Sequence, residues 1–197
     1  MYQYFSIMLY SIDSDIFHWI NSDLSNSFFD FLMPLLREKK TWIPLYLFLV
    51  VFLVYKYRKV GLFMVLFTVL TVGTSDFVSN HGFKKTFKRL RPCKTEMKMP
   101  VIKRVPCGSG YSFTSNHAAN HFAMATFLGL LFGYKRKWLF YGFYTWAFSI
   151  AFAQVYVGLH YPSDILGGGL LGIIIALLYF SLYSRWFLKN QAAMPKA

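Results

Sequence analysis

Three short constellations in this chain hold side chains that could do chemistry together. His160 and Asp164 stand four residues apart in LHYPSD, Ser115 and His117 lie in FTSNH, and Lys84 and Arg91 lie in KKTFKRLRP. A histidine can attack phosphorus once a carboxylate has fixed its tautomer, and a second histidine can hand a proton to the departing oxygen. Fixed cations, a hydroxyl and amide donors would then hold the three equatorial oxygens of the phosphoryl group in flight. This set suits phosphoryl transfer and requires no metal or other cofactor. HAANH places His117 and His121 on one helical face, the spacing of a two-histidine metal site. No glutamate follows the first histidine, however, and Asp164 is the only acid nearby. His121 therefore reads as a packing or hydrogen-bonded neighbour, and no metal is assigned.

The elements that must position these groups are long and apolar. Residues 138–157 carry no charge over 20 positions and residues 165–183 none over 19, each enough to cross a hydrocarbon layer roughly 30 Å thick. Pro162 fits the first turn of the second of these helices. Three earlier stretches, 41–55, 60–80 and 117–133, read as further spans. Trp42, Tyr55 and Tyr57 serve as interface residues, and Ser115 or Asn116 caps the third span. The chain is 56% hydrophobic and 21% aromatic over 197 residues, too apolar for an ordinary soluble domain. The expected fold is all-α, a polytopic membrane helix bundle of about five transmembrane helices. Gly168 and Gly172 would let two of them approach closely within the chain.

Residues 1–40 form an N-terminal interfacial segment, because Asp13, Asp15, Asn21, Asp23 and Asn26 interrupt any long apolar run. Within it, 16–20 and 28–36 read as short amphipathic helices, with a crossing by 4–11 as the alternative and His18 as an interfacial side chain. The N-terminus lacks a basic stretch and a cleavage site, so no removable leader is expected. Residues 41–187 are the membrane domain, with a polar loop at 81–116, and 188–197 form a tail. Asp76, near the end of the second span, either reaches water or a lysine, or orients a basic residue of that loop. His81 has no evident role.

The net charge of +13 comes without any zinc-finger, helix-turn-helix or basic-heptad pattern, so nucleic acid is excluded as a partner. Anionic lipid or a phosphorylated substrate in the membrane fits better; nothing in the sequence specifies an oligomeric state. The loop holds nine lysines and arginines against one acid, beside the histidines. Chaining the spans puts this loop, His117, His160 and Asp164 on one face, and KYRK, KRK and the C-terminal cations on the other. A plain count of cations favours the opposite orientation, but setting aside the loop leaves nine against three. The reactive face then lies outside the cytoplasm, probed by a tail that is cytoplasmic. Both cysteines, Cys93 and Cys107, lie in that loop. As residues they are compatible with a disulfide or two thiols, and the extracytoplasmic placement predicts the bridge.

The three constellations resemble the motifs of the type-2 phosphatidic acid phosphatases, which share their site with the vanadium haloperoxidases. K-x6-R-P matches Lys84, Arg91 and Pro92. P-S-G-H is present in altered form as Thr114, Ser115, Asn116 and His117, and S-R-x5-H-x3-D as Ala153, Gln154, His160 and Asp164. The resemblance covers roughly residues 60–185 and implies a helical bundle with the site near the outer membrane face. It also implies His160 as nucleophile, forming a phosphohistidine, Asp164 as its orienter and His117 as general acid. Lys84, Arg91, Ser115, Asn116 and Gln154 would bind phosphate. The substrate class would be a lipid phosphomonoester or diphosphate: undecaprenyl diphosphate, phosphatidylglycerophosphate, phosphatidate or lipid A. Gln154 replaces the motif arginine and brings no charge, so either the grip is weaker or Lys88, Arg89 or Arg104 takes over. Gln154 and Asn116 together also admit a catalytically impaired protein that binds or transports lipid phosphates.

Overall fold

The structure is a computed structural model that describes residues 11–97, 99–133 and 136–192, with side chains to 187. Residues 1–10, and with them nearly all of the alternative crossing by 4–11, lie outside the described residues, as does half of the expected tail (193–197). No strand occurs among the described residues, and apart from a mostly irregular loop at 88–115 the bundle is helical. Helix α1 (11–18) runs into a π-helical turn at Trp19–Asp23, and α2 spans Ser27–Arg37. The long helix α3, Ile43–Phe77, breaks at Arg58, whose φ of 54° and ψ of −126° are not helical. Two arms result where the sequence predicts two spans, and they pack tightly: a Cβ on Gly61 would fall 2.0 Å from the Leu53 carbonyl oxygen.

Beyond α3, a π-helical segment, Val78–Lys84, leads into the short α4, Lys85–Phe87. Three more helices follow: α5 at Asn116–Gly133, α6 at Lys137–Tyr156 and α7 at Pro162–Ala192. The central element is α5, packed against α7, α6 and α3. Its alanine-rich face and the glycines of α7 make that closeness possible. A Cβ on Gly172 would meet the Ala119 carbonyl oxygen at 2.1 Å, and one on Gly168 the Ser115 carbonyl oxygen at 2.5 Å. These glycines serve packing within the chain, as their spacing predicts.

The outer faces of α3 and α7 are apolar and open. Leu166, Leu170, Ile174 and Leu178 are all exposed at helical spacing on α7, as are Leu62, Leu66 and Val69 on α3. Such a stripe is stable only against lipid or another apolar surface. Among the described residues, two stretches are long and apolar enough to cross a membrane, Lys39–Lys94 and Pro162–Phe187.

The N-terminal helices are built into the body. Phe17, Ile20 and Met33 share a core with Tyr156, Val157, Leu159 and Tyr161. His18, expected at the interface, is buried beside Phe17, because α1 is covered by the loop rather than lying free. Asn21 ties α1 to both neighbours: its Nδ2 donates to the carbonyls of Ile102 (3.0 Å) and Tyr156 (2.7 Å), and its Oδ1 accepts from Ile102 N (2.9 Å).

Cys93 and Cys107 are disulfide-bonded, as the loop's placement predicts. Closing a loop of about 15 residues is worth roughly 3 kcal/mol in the chain-entropy model. Replacing both cysteines with serine should lower the thermal midpoint in detergent accordingly. Two free thiols in mass spectra of the unreduced protein would contradict the bridge.

Candidate active site

His160 owes its position to the way α6 stops. Gly158 has φ +87°, and the Leu159 and Gly158 amides return to the Gln154 and Val155 carbonyls at 3.1 and 3.0 Å. That is the paired closure of a helix ending in a left-handed residue. A Cβ on Gly158 would also stand 3.0 Å from the Ile102 carbonyl oxygen, so glycine is required twice over. His160 follows two residues later, its own amide bonded to Gln154 O at 3.2 Å.

The next helix begins at once, with Pro162 in its first turn. Asp164 sits where a first-turn acid can reach back to the residue before the helix, and its Oδ2 accepts from Tyr161 N at 2.8 Å. The same Oδ2 accepts from Ser112 Oγ and faces His160 Nδ1 at 3.4 Å. Oδ1 accepts from Arg89 Nη1 at 2.8 Å. An ionised carboxylate only accepts, so Asp164 fixes the proton on Nδ1 and leaves the Nε2 lone pair free. Arg91 Nη1 stands 3.5 Å from that Nε2.

A cavity of about 250 Å³ opens in front of Nε2, and Lys84, Arg91, His117, Gln154 and His160 line it together. Five residues from three separated sequence blocks thus converge on one cavity. Lys84 is the last residue of the π-helical segment, a distortion that recurs at functional sites, and its Nζ donates to Tyr111 O at 2.8 Å. Gln154 is buried, with neither carboxamide atom hydrogen-bonded. Ser115 is not among the lining residues. It is buried at the start of α5, where its Oγ accepts from Ala118 N at 3.5 Å and its amide donates to Asp164 O at 3.0 Å, joining the beginnings of α5 and α7.

Asn116 does line the cavity, while its Nδ2 donates to Asp76 at 2.7 Å. Asp76 also accepts from Asn80 and Asn120, each at 2.9 Å. The aspartate therefore neither reaches for a lysine nor orients a cation of the loop; three carboxamides satisfy it. His121 behaves as its position predicts, with Nδ1 against His117 O at 2.8 Å and Nε2 against Tyr46 Oη at 3.0 Å. His81 is exposed, its Nδ1 3.2 Å from Phe77 O.

The cations expected to replace the motif arginine are placed elsewhere. Arg89 bridges Asp13 (2.5 Å) and Asp164 (2.8 Å), with its guanidinium 3.9 Å from the Tyr161 ring centre. Arg104 bonds Asp30 (2.5 Å) and the Asn21 and Tyr156 carbonyls (both 2.8 Å). Lys88 is exposed, in the left-handed region with φ 46°. Acids on α1, α2 and α7 capture both guanidiniums, and none of these pairings is local. Two residues to which the sequence assigned no part in the site emerge instead: Asp13, which also accepts from Ser163 N at 2.8 Å, and Arg37, which lines the cavity.

Burial lowers the His160 pKa to about 4, with Arg91 and Lys84 adding to the effect and Asp164 opposing it. The folded value lies below the ordinary value of about 6.5, so the neutral, nucleophilic ring persists as the pH falls. The unfolded chain takes up this proton first, and the fold loses stability as pH drops from about 6.5 toward the folded value. A ring-nitrogen NMR titration of labelled protein should give a His160 midpoint near 4. A midpoint at the ordinary histidine value would show the ring to be solvated.

A helical membrane bundle with two histidines and fixed cations around one small cavity defines an integral membrane phosphatase. The chain belongs to the PAP2 superfamily, whose sequence model matches residues 60–188. It is 30% identical to the lipid A 4'-phosphatase of Bacteroides thetaiotaomicron, over 95% of this chain and 84% of that protein. It is 28% identical to the lipid A 4'-phosphatase of Porphyromonas gingivalis, over 94% and 80%. Among solved structures, LpxE from Aquifex aeolicus superposes with a TM-score of 0.69 at 22% identity, covering 86% of this chain and 95% of that one. The transmembrane PAP2-type phosphatidylglycerolphosphate phosphatase from Bacillus subtilis gives a TM-score of 0.67 at 22% identity, covering 90% and 87%. Like these proteins, the chain is a hydrolase of phosphoric esters in a membrane.

Proposed function

We propose that this protein removes a phosphate from the sugar of a lipid A-type glycolipid through a phosphohistidine at His160. The observation that carries the reading is the meeting of two cavities. The phosphate-sized one shares Asn80, Asn116 and His117 with an apolar groove of about 690 Å³ between the arms of α3 and α5. A phosphate could sit on the cations while the acyl part follows Leu49, Val69 and Met124 along that groove. The carboxamides around Asp76 stand at the junction, where the hydroxyls of a sugar would pass. The two relatives named for lipid A, matched over 84% and 80% of their length, favour this substrate over the other lipid phosphates.

In the first step, His160 Nε2 attacks phosphorus in line with the leaving oxygen. The P–O bond breaks, its electron pair stays on that oxygen, and His117 supplies the proton. Water then attacks the phosphohistidine, His117 takes up the water's proton, and the P–N pair returns to Nε2. Lys84, Arg91, Asn116 and Gln154 bind the equatorial oxygens, and Ser115 contributes by fixing the start of α5 beside Asp164. The scheme needs no metal, so a chelator should leave the rate intact. The site faces away from the cytoplasm of a bacterial inner membrane, with the C-terminal end on the cytoplasmic side; a fluorescent C-terminal fusion should light up, and an active periplasm-dependent phosphatase fused there would invert the orientation.

Purified protein should be assayed against lipid A, undecaprenyl diphosphate, phosphatidylglycerophosphate and phosphatidate. Lipid A should give the highest kcat/KM. A preference for undecaprenyl diphosphate would overturn the substrate assignment, and no turnover of any of the four would favour the binding or transport reading.

A further inference from the structure

We infer that Arg37 is a phosphate-binding cation of this site, delivered by α2 in place of the charge missing at Gln154. The inference rests on the phosphatase reading above and deepens it. Arg37 lines the same cavity as Lys84, Arg91 and His160. Its Nε is buried without a hydrogen-bond partner among the described residues, and so are Arg91 Nε and both polar atoms of Gln154. Unpaired buried polar atoms around one small cavity are costly, and three of these four, Arg37 Nε, Arg91 Nε and Gln154 Nε2, are donors that an acceptor filling it would satisfy. Two guanidiniums and a carboxamide match an anion with several oxygens, and arginine is the side chain best shaped to grip phosphate with paired donors.

The geometry of α2 makes this delivery reproducible. Asp30, Met33 and Arg37 are spaced at i, i+3 and i+7, so one face of the helix looks toward the body. Asp30 is held there by Tyr156 Oη (2.7 Å) and Arg104, and Met33 is buried in the core. The helix starts at Asn26, whose Oδ1 accepts from Phe29 N at 2.9 Å, and its last turn is tied by the Trp42 indole, which donates to Leu36 O at 2.7 Å. Arg37 is thus the end of a docked helix and not a loose surface arginine. Burial disfavours its charged form and only the adjacent Glu38 counters this, an imbalance that a bound anion would correct. Arg104 has a part in this after all, as the residue that seats α2 and not as a ligand.

The test compares wild type, Arg37→Ala, Arg37→Lys and the double variant Arg37→Ala/Gln154→Arg on a lipid phosphate, with orthovanadate inhibition as a second readout. Arg37→Ala should lower kcat/KM about 10- to 100-fold, the scale of one charge-assisted hydrogen bond, and weaken vanadate inhibition in parallel. Arg37→Lys should recover part of the loss. The double variant should recover most of it, because the charge returns from the α6 side of the same cavity. Such rescue cannot come from a residue that merely holds α2 in place. Wild-type turnover and vanadate affinity in Arg37→Ala, or loss without rescue by Gln154→Arg, would overturn the assignment. If wild type itself hydrolyses no lipid phosphate, the functional reading fails instead, and the two failures are distinguishable.

Discussion

His160→Ala should abolish phosphate release, with a loss on the order of 10⁶-fold, the scale seen when a hydrolase loses its covalent nucleophile. The ring is buried, with Nδ1 turned to Asp164 and Nε2 to the cavity, so no other side chain can offer a lone pair from the same place. The fold should survive, because the ring's own bonds are few and its backbone contacts to Gln154 do not depend on the side chain. Rapid quenching of wild type with radiolabelled substrate should trap label on the protein in an acid-labile, base-stable form. The variant should trap none. Substantial turnover by His160→Ala, or label that is stable to acid, would remove histidine from the nucleophile's role.

His117→Ala should cost about 10²- to 10⁴-fold on an alkyl or sugar phosphate, the range for general acid–base help. Its distinguishing mark is the dependence on leaving group. Nitrophenolate departs without a proton, so nitrophenyl phosphate should still phosphorylate His160 in the variant, while the water step, which needs the base, stays slow. A burst of nitrophenol approaching one equivalent, followed by slow turnover, is the expected trace. Equal losses on both substrates with no burst would make His117 a positioning residue.

Asn116 shows how one substitution redistributes a site. In the related motif this position is glycine; here its carboxamide links Asp76 to the cavity and accepts from Ser79 Oγ at 3.0 Å. The added side chain lies where the phosphate cavity meets the apolar groove. Asn116→Gly should therefore shift the choice among lipid headgroups more than it shifts turnover of a small phosphate ester.

The sequence by itself determined the helical character of the bundle and the local geometry around its histidines. Uncharged runs must become helices in a low-dielectric layer, where every backbone amide has to bond within its own segment. Local spacing alone placed Asp164 in the first turn after His160 and put His117 and His121 on one face. Short-range geometry is written in short-range sequence, which is why these readings transfer directly to the fold.

Only the tertiary structure decided how the cations are used. Apart from Arg91, which its motif marks, Lys88, Arg89, Arg104 and Arg37 are indistinguishable as charges in a string. Their fates depend on which acid lies within about 3 Å after folding, a distance at which charge-assisted hydrogen bonds form. Arg89 is claimed by Asp13, 76 positions away, and Arg104 by Asp30, 74 away. Among the described residues Arg37 finds no such acid, and it lines the cavity. Asp76 likewise met carboxamides from α5 rather than a lysine, since the packing of α5 against α3 brings Asn116 and Asn120 to it. Pairing across such separations is fixed by the docking of helices, and no local pattern encodes it.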